Sequence, residues 1–571
     1  MIISLAQMNS IIGDFVGNAR KIAELADKAL SGHSSFGAPD LIVFPELALC
    51  GYPPMDLLDQ EAFVEGNLSA LRELQKTLPA SATIAVGYVD RNRTGSGRAL
   101  VNAISVIAGG QIVFTQAKTL LPTYDVFDEA RYFEPAKKRK VFTPPQGRIG
   151  FAICEDFWWE APPSPSFKYE VDPVKDLLDA SLDILIVPSA SPFVAGKLKT
   201  RLSLARGTAR EGHIPVLYCN AVGANDSLVF DGRSFMVSPS GETIAMCGWH
   251  EAILTVDTAT MTAETRTVEP GFHDESAPSP PDEAIEEIHQ ALVVGIRDYM
   301  KKSGFSKACL GLSGGIDSAM VAILGAEALG AANITCIAMP SRFSSEGSIN
   351  DSIELCRRAG IRLERLSIEA PFKAYLDLLS APFAGRPFDL AEENLQARIR
   401  GALLMAWSNK FNALLLTTGN KSEIAAGYCT LYGDMCGALA PIGDLYKTEV
   451  YALARHLNQR GAAAGKPEPI PLPIIEKAPS AELRLNQKDQ DSLPEYELLD
   501  AILRLYIEDN ASLEEIIEKG FDSAMVHKVL GLTARAEYKR RQAAPVIKVS
   551  KRAFGIGRRL PLARHIHEIE G

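Results

Sequence analysis

Short apolar runs recur along the first 260 residues, at 2–6, 41–44, 83–88, 100–107, 149–153, 184–187 and 215–218. Runs of this length, closed by turn-forming residues, predict strands buried on both faces. Segments with a helical period lie between them. In 18–30, for example, Ile22, Leu25, Ala26, Ala29 and Leu30 fall on one face and Asn18 stands in an N-cap position. The first half therefore reads as an α/β domain of residues 1–262. The stretch TAETRTVEPGFHDESAPSPP (262–281) is rich in Pro, Ser, Thr and charge and has no apolar period, which predicts a linker at 263–281.

From 282 the pattern restarts with a helix to about 300, followed by strands at 308–312, 334–339, 362–366 and 413–417 with helical sequence between them. Such alternation predicts a parallel, doubly wound sheet in a second α/β domain of residues 282–571. The polar, Pro-rich segment 460–494 is expected to be a long functional loop, and a short helical tail is expected after it.

Composition narrows the partners. The chain has 571 residues, 47% hydrophobic and 23% charged, enough apolar content for more than one core. Its net charge of −11 offers no general attraction to phosphate backbones or anionic lipid, so neither nucleic acid nor a membrane is expected as a partner. Nine scattered cysteines without a C-x-x-C pair fit a reducing compartment. No apolar run approaches the roughly 20 residues of a membrane span, and the first residues lack the basic, then apolar, pattern of a leader. A cytoplasmic protein is the expectation.

Three polar residues stand just beyond the ends of apolar strands: Glu46 after LIVFP, Lys118 after IVFTQA and Cys154 after RIGFAI. A cysteine in such a place is ordinarily an inert buried residue, and a Glu and a Lys could form a structural ion pair. The carboxyl ends of strands in α/β sheets, however, converge on one crevice, where a thiol, a base and a cation would meet. Cys154 would attack a carbon–nitrogen bond, Glu46 would take its proton, and Lys118 would stabilise the oxyanion. The blocks FPELALCGYP, KTLLPTYDVFDEARYF and FAICEDFWW resemble the three motifs of the nitrilase (carbon-nitrogen hydrolase) superfamily. That resemblance implies a four-layer αββα sandwich, a Glu46-Lys118-Cys154 triad and Glu129 as an assisting acid. It also places Tyr124, Ser191 and Lys197 where glutamine-using members hold their amide substrate.

The segment LGLSGGIDS (310–318) follows an apolar strand and opens a helix. Gly311, Leu312, Ser313, Gly314, Gly315, Ile316, Asp317 and Ser318 thus form a turn whose backbone N–H groups face an anion, with Asp317 placed to ligate Mg²⁺. The lysine of a Walker A loop is absent, so γ-phosphate transfer is not indicated. SGGIDS resembles the PP-loop of the N-type ATP pyrophosphatases, which have a Rossmann-like fold and cleave ATP to AMP and pyrophosphate. LLTTGNKSE, GYCTLYGD, PIGDLYK and KAPSAEL resemble the further blocks of the NAD synthetases in that group. This resemblance implies ATP contacts at Thr418, Lys447 and Ser480, and Mg²⁺ ligands at Asp317 and Glu423. It implies deamido-NAD contacts at Asn394, Arg398, Glu423 and Lys548. Ammonia-only members carry a substrate lysine where this chain has Leu431.

One order of blocks unites the halves: an amide hydrolase that makes ammonia precedes an adenylating synthetase that consumes it. The whole chain is similar to glutamine-dependent NAD synthetases. The resemblance implies glutamine or free ammonia as nitrogen donor, ATP and deamido-NAD as substrates, and a homo-oligomer, at least a dimer. Another adenylating amidotransferase is compatible with the first half alone, and the blocks from Asn394 to Ser480 separate the two. A nucleotide-sensing protein with degenerate sites is the reading from a different class.

Overall fold

The computed structural model describes residues 1–31, 34–160, 168–268 and 283–566. It divides into two compact units, Met1–Pro278 and Ser279–Gly571.

The strands of the first unit are β1 (Ile2–Gln7), β2 (Leu41–Val43), β3 (Thr83–Arg91), β4 (Leu100–Ala108), β5 (Gln111–Ala117), β6 (Val141–Phe142), β7 (Ile149–Phe151), β8 (Ile184–Ser189), β9 (Val216–Asn220), β10 (Val222–Asn225), β11 (Leu228–Asp231), β12 (Phe235–Val237), β13 (Thr243–Met246), β14 (Ala252–Asp257) and β15 (Thr262–Thr267). Among the described residues they form two large sheets, ordered β15-β14-β1-β2-β3-β4-β5 and β13-β12-β9-β8-β7-β6, with β10 and β11 paired separately. The central strands β1–β2–β3 and β7–β8–β9 run parallel. Side chains alternate across each strand, and β8 shows the consequence. Its Ile184 and Ile186 face the other sheet, packed with Leu5, Val43 and Val106. Its Leu185 and Val187 face outward into a second core with Leu177 and Ala205, which come from helices α3 (Pro173–Asp179) and α4 (Lys197–Gly212). The helices α1 (Phe15–Ser31) and α2 (Glu61–Thr77) cover the first sheet through Ile22, Leu25, Leu71 and Leu74. Helix, sheet, sheet and helix give the four layers expected.

Two local expectations change. The first helix begins at Phe15, so Asn18 lies inside it. Its buried Nδ2 donates to Ile11 O (2.8 Å) and Leu49 O (3.1 Å), pinning two loops instead of capping the helix. The segment expected to open the linker is instead β15, paired antiparallel with β14 from Thr262 to Thr267. As an exposed edge strand it carries polar residues on both faces, and so shows no apolar alternation. The rest of the expected linker, from 269, lies outside the described residues.

In the second unit, β16 (Ala308–Gly311), β17 (Ile334–Ala338), β18 (Arg362–Arg365) and β19 (Leu414–Leu415) form a parallel sheet ordered β18-β17-β16-β19. The helices around it are α5 (Glu283–Lys302), α6 (Ile316–Leu329), α7 (Glu346–Ala359), α8 (Glu369–Leu379), α9 (Leu390–Phe411), α10 (Lys421–Ala426) and α11 (Lys447–Ala463). The chain leaves β16 and enters α6 at the point where strand order reverses, which is where open α/β sheets place a ligand crevice. The segment 460–494 is not one loop: its first residues end α11, and α12 (Leu472–Glu476) interrupts it. The expected short tail is larger too. The helices α13 (Tyr496–Leu503), α14 (Leu513–Glu518) and α15 (Ser523–Arg535) bury Leu499, Ile502, Ile516 and Val529 in a core shared with Ile424 and Tyr446. Among the described residues no helix is long and apolar enough to cross a membrane. All nine cysteines are free thiols.

Two candidate active sites

The first site gathers beyond the carboxyl ends of β2, β5, β7 and β8, strands of the two large sheets. Past β2 the chain turns sharply through Glu46 and Leu47, the latter at φ 47°. Gly87 of β3 permits this turn, because a Cβ there would lie 2.5 Å from Pro45 O and 2.4 Å from Leu47 N. The turn buries Glu46 and fixes both of its oxygens. Oε1 accepts from Asn102 Nδ2 (2.7 Å) and Lys118 Nζ (2.7 Å), and Oε2 accepts from the Ala190 N–H (3.0 Å). Lys118 is 1% exposed and also donates to Glu129 Oε1 (2.9 Å), which accepts from Tyr52 OH (2.9 Å) as well. Cys154, at φ 45°, opens the turn after β7 in a left-handed conformation that a non-glycine residue adopts only under constraint.

Electrostatics tie the four groups together. Burial, and then the charge of Glu46, push the Cys154 thiol well above its usual range, so it stays protonated until a base takes the proton. Burial opposes the Lys118 ammonium, yet Glu129 and Glu46 hold it well above its ordinary value. Burial pushes the Glu129 carboxyl up to about 7 against the pull of Lys118. The arrangement is a protonated thiol beside a fixed carboxylate and a permanent cation, which suits acyl transfer by a cysteine.

The residues expected to hold the amide substrate surround this core. Tyr124 OH donates to both oxygens of Glu155, the neighbour of Cys154, at 2.9 and 3.1 Å. Ser191 follows the Ala190 that binds Glu46. Its N–H donates to Asn220 Oδ1 (3.0 Å), and its side chain is buried close to Tyr218. Lys197 begins α4, with its Nζ 4.9 Å from the centre of the Trp158 ring and 3.2 Å from Pro192 O. Sequence reasoning missed Tyr52, Asn102 and Asp156. Asp156 accepts from the backbone of Thr119 (2.9 Å), Leu120 (2.6 Å) and Ile153 (3.2 Å), and so joins the Lys118 and Cys154 loops. Burial raises its carboxyl to about 7 despite these bonds. Tyr52 and Asp156 sit inside the recognisable blocks. Asn102 lies within a strand, with no local sign of its partner.

The second site is a cavity of about 310 Å³ in the other unit. Gly311, Leu312, Ser313, Gly314, Gly315, Ile316, Asp317 and Ser318 line it, as do Thr418, Glu423, Lys447 and Ser480. The loop is knit by its own hydroxyls. The Ser313 N–H donates to Ser318 Oγ (3.2 Å), which donates to Gly315 O (3.0 Å), while Ser313 Oγ accepts from the Gly315 N–H (3.2 Å). Gly314 has φ 80° and stands where a Cβ would be 2.3 Å from Ser348 O, so only glycine fits. Asn420 caps α10 by accepting the Glu423 N–H (3.0 Å), while its Nδ2 donates to Asp317 Oδ1 (2.9 Å). Lys447 Nζ bridges Asp317 Oδ2 and Glu423 Oε1, the latter at 3.4 Å. Burial and the nearby Asp317 push the Glu423 carboxyl up to about 8. Asp317 and Glu423 keep Lys447 raised although burial opposes it.

The carboxylate oxygens of Asp317 and Glu423 are hard donors of the kind that suit Mg²⁺. Among the described residues no three His, Cys, Asp or Glu side chains stand close enough to hold an ion by themselves. Phosphate oxygens would therefore have to complete the coordination. Of the four residues expected to contact deamido-NAD, only Glu423 reaches this cavity. Asn394 Oδ1 accepts from Thr430 Oγ1 (2.8 Å), and Arg398 Nε donates to Leu431 O (3.3 Å), both on another side of α9. Lys548 is buried, with its Nζ donating to Ser550 O (2.6 Å) and Lys551 O (3.1 Å). Sequence reasoning missed Asn420, Lys477, Asp489 and Arg400 at this cavity. Asn420 and Lys477 lie inside quoted blocks, and Arg400 is two residues from Arg398.

Comparison with known proteins follows the same division. The carbon-nitrogen hydrolase family matches residues 2–267 and the NAD synthase family residues 288–543. A glutamine-dependent NAD(+) synthetase of Synechocystis is 45% identical over 569 residues, covering 99% of each chain. One of Thermotoga maritima is 42% identical, again over 99% of each. A solved glutamine-dependent NAD+ synthetase of Acinetobacter baumannii, in complex with ADP, superposes with a TM-score of 0.74 at 36% identity, covering 98% of each chain.

Proposed function

The chain belongs to the glutamine-dependent NAD(+) synthetases, and from that premise we propose how its residues divide the work. In the first unit Glu46 takes the Cys154 proton as the sulfur attacks the glutamine amide carbon. The tetrahedral oxyanion forms beside Lys118, ammonia leaves, and Glu46 then activates the water that cleaves the thioester. Tyr124, Ser191 and Lys197 hold the glutamine through a phenol, a hydroxyl and an ammonium. Glu129, sharing Lys118 with Glu46, keeps the ammonium charged and in place.

In the second unit the loop Gly311–Ser318, with Thr418, Lys447 and Ser480, binds ATP. The deamido-NAD carboxylate displaces pyrophosphate from the α-phosphorus, and ammonia displaces AMP from the adenylate to give NAD. Mg²⁺ would be held by Asp317 and Glu423 together with phosphate oxygens. When bound, it neutralises the charge gathering on the departing pyrophosphate. Asn394, Arg398, Glu423 and Lys548 serve deamido-NAD. Since three of them lie away from the ATP cavity, that substrate extends beyond it. Exposed Leu378, Phe388 and Leu390 on and beside α8 and α9 suit burial by a second copy, in line with at least a dimer. Ammonia is mostly protonated in neutral water and then cannot attack carbon, so a shielded transfer between the sites preserves its reactive form. Nine free thiols fit a reducing cytoplasm.

The observation that supports this reading is that Glu46, Lys118 and Glu129 meet in the first unit while the loop 311–318, Thr418, Lys447 and Ser480 line one cavity in the second. Glutamine- and ammonium-driven synthesis should therefore separate. Cys154→Ala is expected to lose NAD formation from glutamine and keep it from ammonium, whereas Asp317→Ala loses AMP and pyrophosphate release with either donor. Wild-type glutamine use by Cys154→Ala would overturn the triad, and retained pyrophosphate release by Asp317→Ala would overturn the ATP site.

A further inference from the structure

Among the described residues three cationic side chains line the ATP cavity: Lys447, Lys477 and Arg400. Two are already ion-paired, Lys447 to Asp317 and Glu423, and Lys477 to Asp351 at 2.8 Å. Arg400 has no carboxylate in ion-pair range among the described residues. Its guanidinium makes one hydrogen bond there, from Nε to Met339 O at 3.1 Å.

Helical geometry puts it in the cavity. Ala397, Arg400, Gly401 and Leu404, spaced three and four apart on α9, all face the cavity, whereas Arg398 lies two positions away and is exposed. Arg400 lines the cavity from α9 together with Met339 and Pro340 at the end of β17, and the loop Gly311–Ser318 lines it from the end of the neighbouring strand β16. Burial pulls the guanidinium down to about 10, with Glu482 and Asp434 only partly opposing. A partly buried cation without a carboxylate partner is stabilised by an anion that arrives with the ligand.

We propose that Arg400 binds the phosphate that remains on the adenylyl group after pyrophosphate departs. The assignment rests on the synthetase reading above and deepens it. In the first step a carboxylate oxygen bonds to the α-phosphorus and the bond from that phosphorus to the β-phosphate oxygen breaks. Pyrophosphate then leaves with the electron pair. In the second, ammonia bonds to the acyl carbon, the carbon–oxygen bond to AMP breaks, and one proton is released to solvent. The α-phosphate keeps a negative charge throughout. The loop Gly311–Ser318 serves the leaving pyrophosphate, so the cation that a different element, α9, brings to the same cavity holds the group that stays.

The test is calorimetric titration of the full chain with AMP and, separately, with pyrophosphate, both in the same Mg²⁺ buffer. For Arg400→Gln the AMP dissociation constant is expected to rise about 10- to 100-fold, the usual cost of a lost charge-assisted pair. The pyrophosphate constant should stay within about twofold. Arg400→Lys, which keeps the charge without the two-pronged fork, should weaken AMP by less, and it decides the matter if the glutamine variant does not fold. Unchanged AMP binding, or an equal loss of AMP and pyrophosphate, overturns the assignment and leaves the synthetase reading standing. A wild-type chain that binds neither ligand overturns both.

Discussion

Replacing Lys118 by methionine removes the one cation between two buried carboxylates. Lys118 Nζ is 2.7 Å from Glu46 Oε1 and 2.9 Å from Glu129 Oε1, and none of the three side chains is more than 6% exposed. Methionine fills a similar volume, so the change is mainly one of charge. Taking one partner from a buried ion pair costs about 3–5 kcal/mol, because an uncompensated charge stays behind. Here two carboxylates stay behind, which puts Lys118→Met near the upper end. The pH dependence has a definite sign. Burial already raises Glu129 from 4.5 to about 7 in the folded protein, and loss of the ammonium raises it further. Folded wild-type Glu129 already holds its proton below about pH 7, so its extra cost in the variant sets in above that value and grows as pH rises toward the variant's higher folded pKa. A loss of about 4 kcal/mol is expected at pH 8 and about 3 kcal/mol at pH 5.5, because one carboxyl adds at most about 1.4 kcal/mol per pH unit above its wild-type value. At roughly 2–4 °C per kcal/mol for a unit of this size, the pH 8 melting midpoint falls by about 8–16 °C. Tryptophan fluorescence follows it selectively, since Trp158, Trp159 and Trp249 are in the first unit and only Trp407 is in the second. An equal loss at both pH values, or a larger one at pH 5.5, would refute the reasoning. So would wild-type glutamine hydrolysis by the variant.

Two further outcomes follow from residues that touch no substrate. Asp156→Ala leaves the N–H groups of Thr119, Leu120 and Ile153 without their acceptor and unties the Lys118 loop from the Cys154 turn. Glutamine hydrolysis should fall by about 100-fold or more while ammonium-driven synthesis is kept, and parallel assays with the two donors check this. Asn420→Ala removes a helix cap worth about 1 kcal/mol and frees Asp317 from its amide. Pyrophosphate exchange into ATP should drop by about tenfold with glutamine hydrolysis unchanged, and a fall in both activities would point to general unfolding instead.

Legibility along the chain followed burial. The strands β1 to β4 and β7 to β9 lie where the apolar runs put them, within about three residues at each end, because strands buried on both faces leave continuous apolar sequence. β5 was legible as the run IVFTQA before Lys118, whereas β15 read as linker because its residues are polar and exposed. Asn18 looked like a cap because its type suits one, but a buried amide also serves to join loops. In the second unit the single-turn signal of the 310–318 loop survived into the structure. The helices after Tyr496 were underestimated because their apolar faces pair with Ile424 and Tyr446, far away in sequence.

The sequence by itself determined the two-part α/β plan, the strand-end positions of Glu46, Lys118 and Cys154, and the strand-to-helix turn at 310–318, because periodicity and short blocks are local properties. Only tertiary structure decided who meets whom. Glu129 shares Lys118 with Glu46, Asn420 holds Asp317 from 103 residues away, and Arg400, not Arg398, faces the cavity. Pairings of this kind depend on which helix face turns inward and which buried donor lacks an acceptor. Those are properties of the packed chain, and no local window of the sequence carries them.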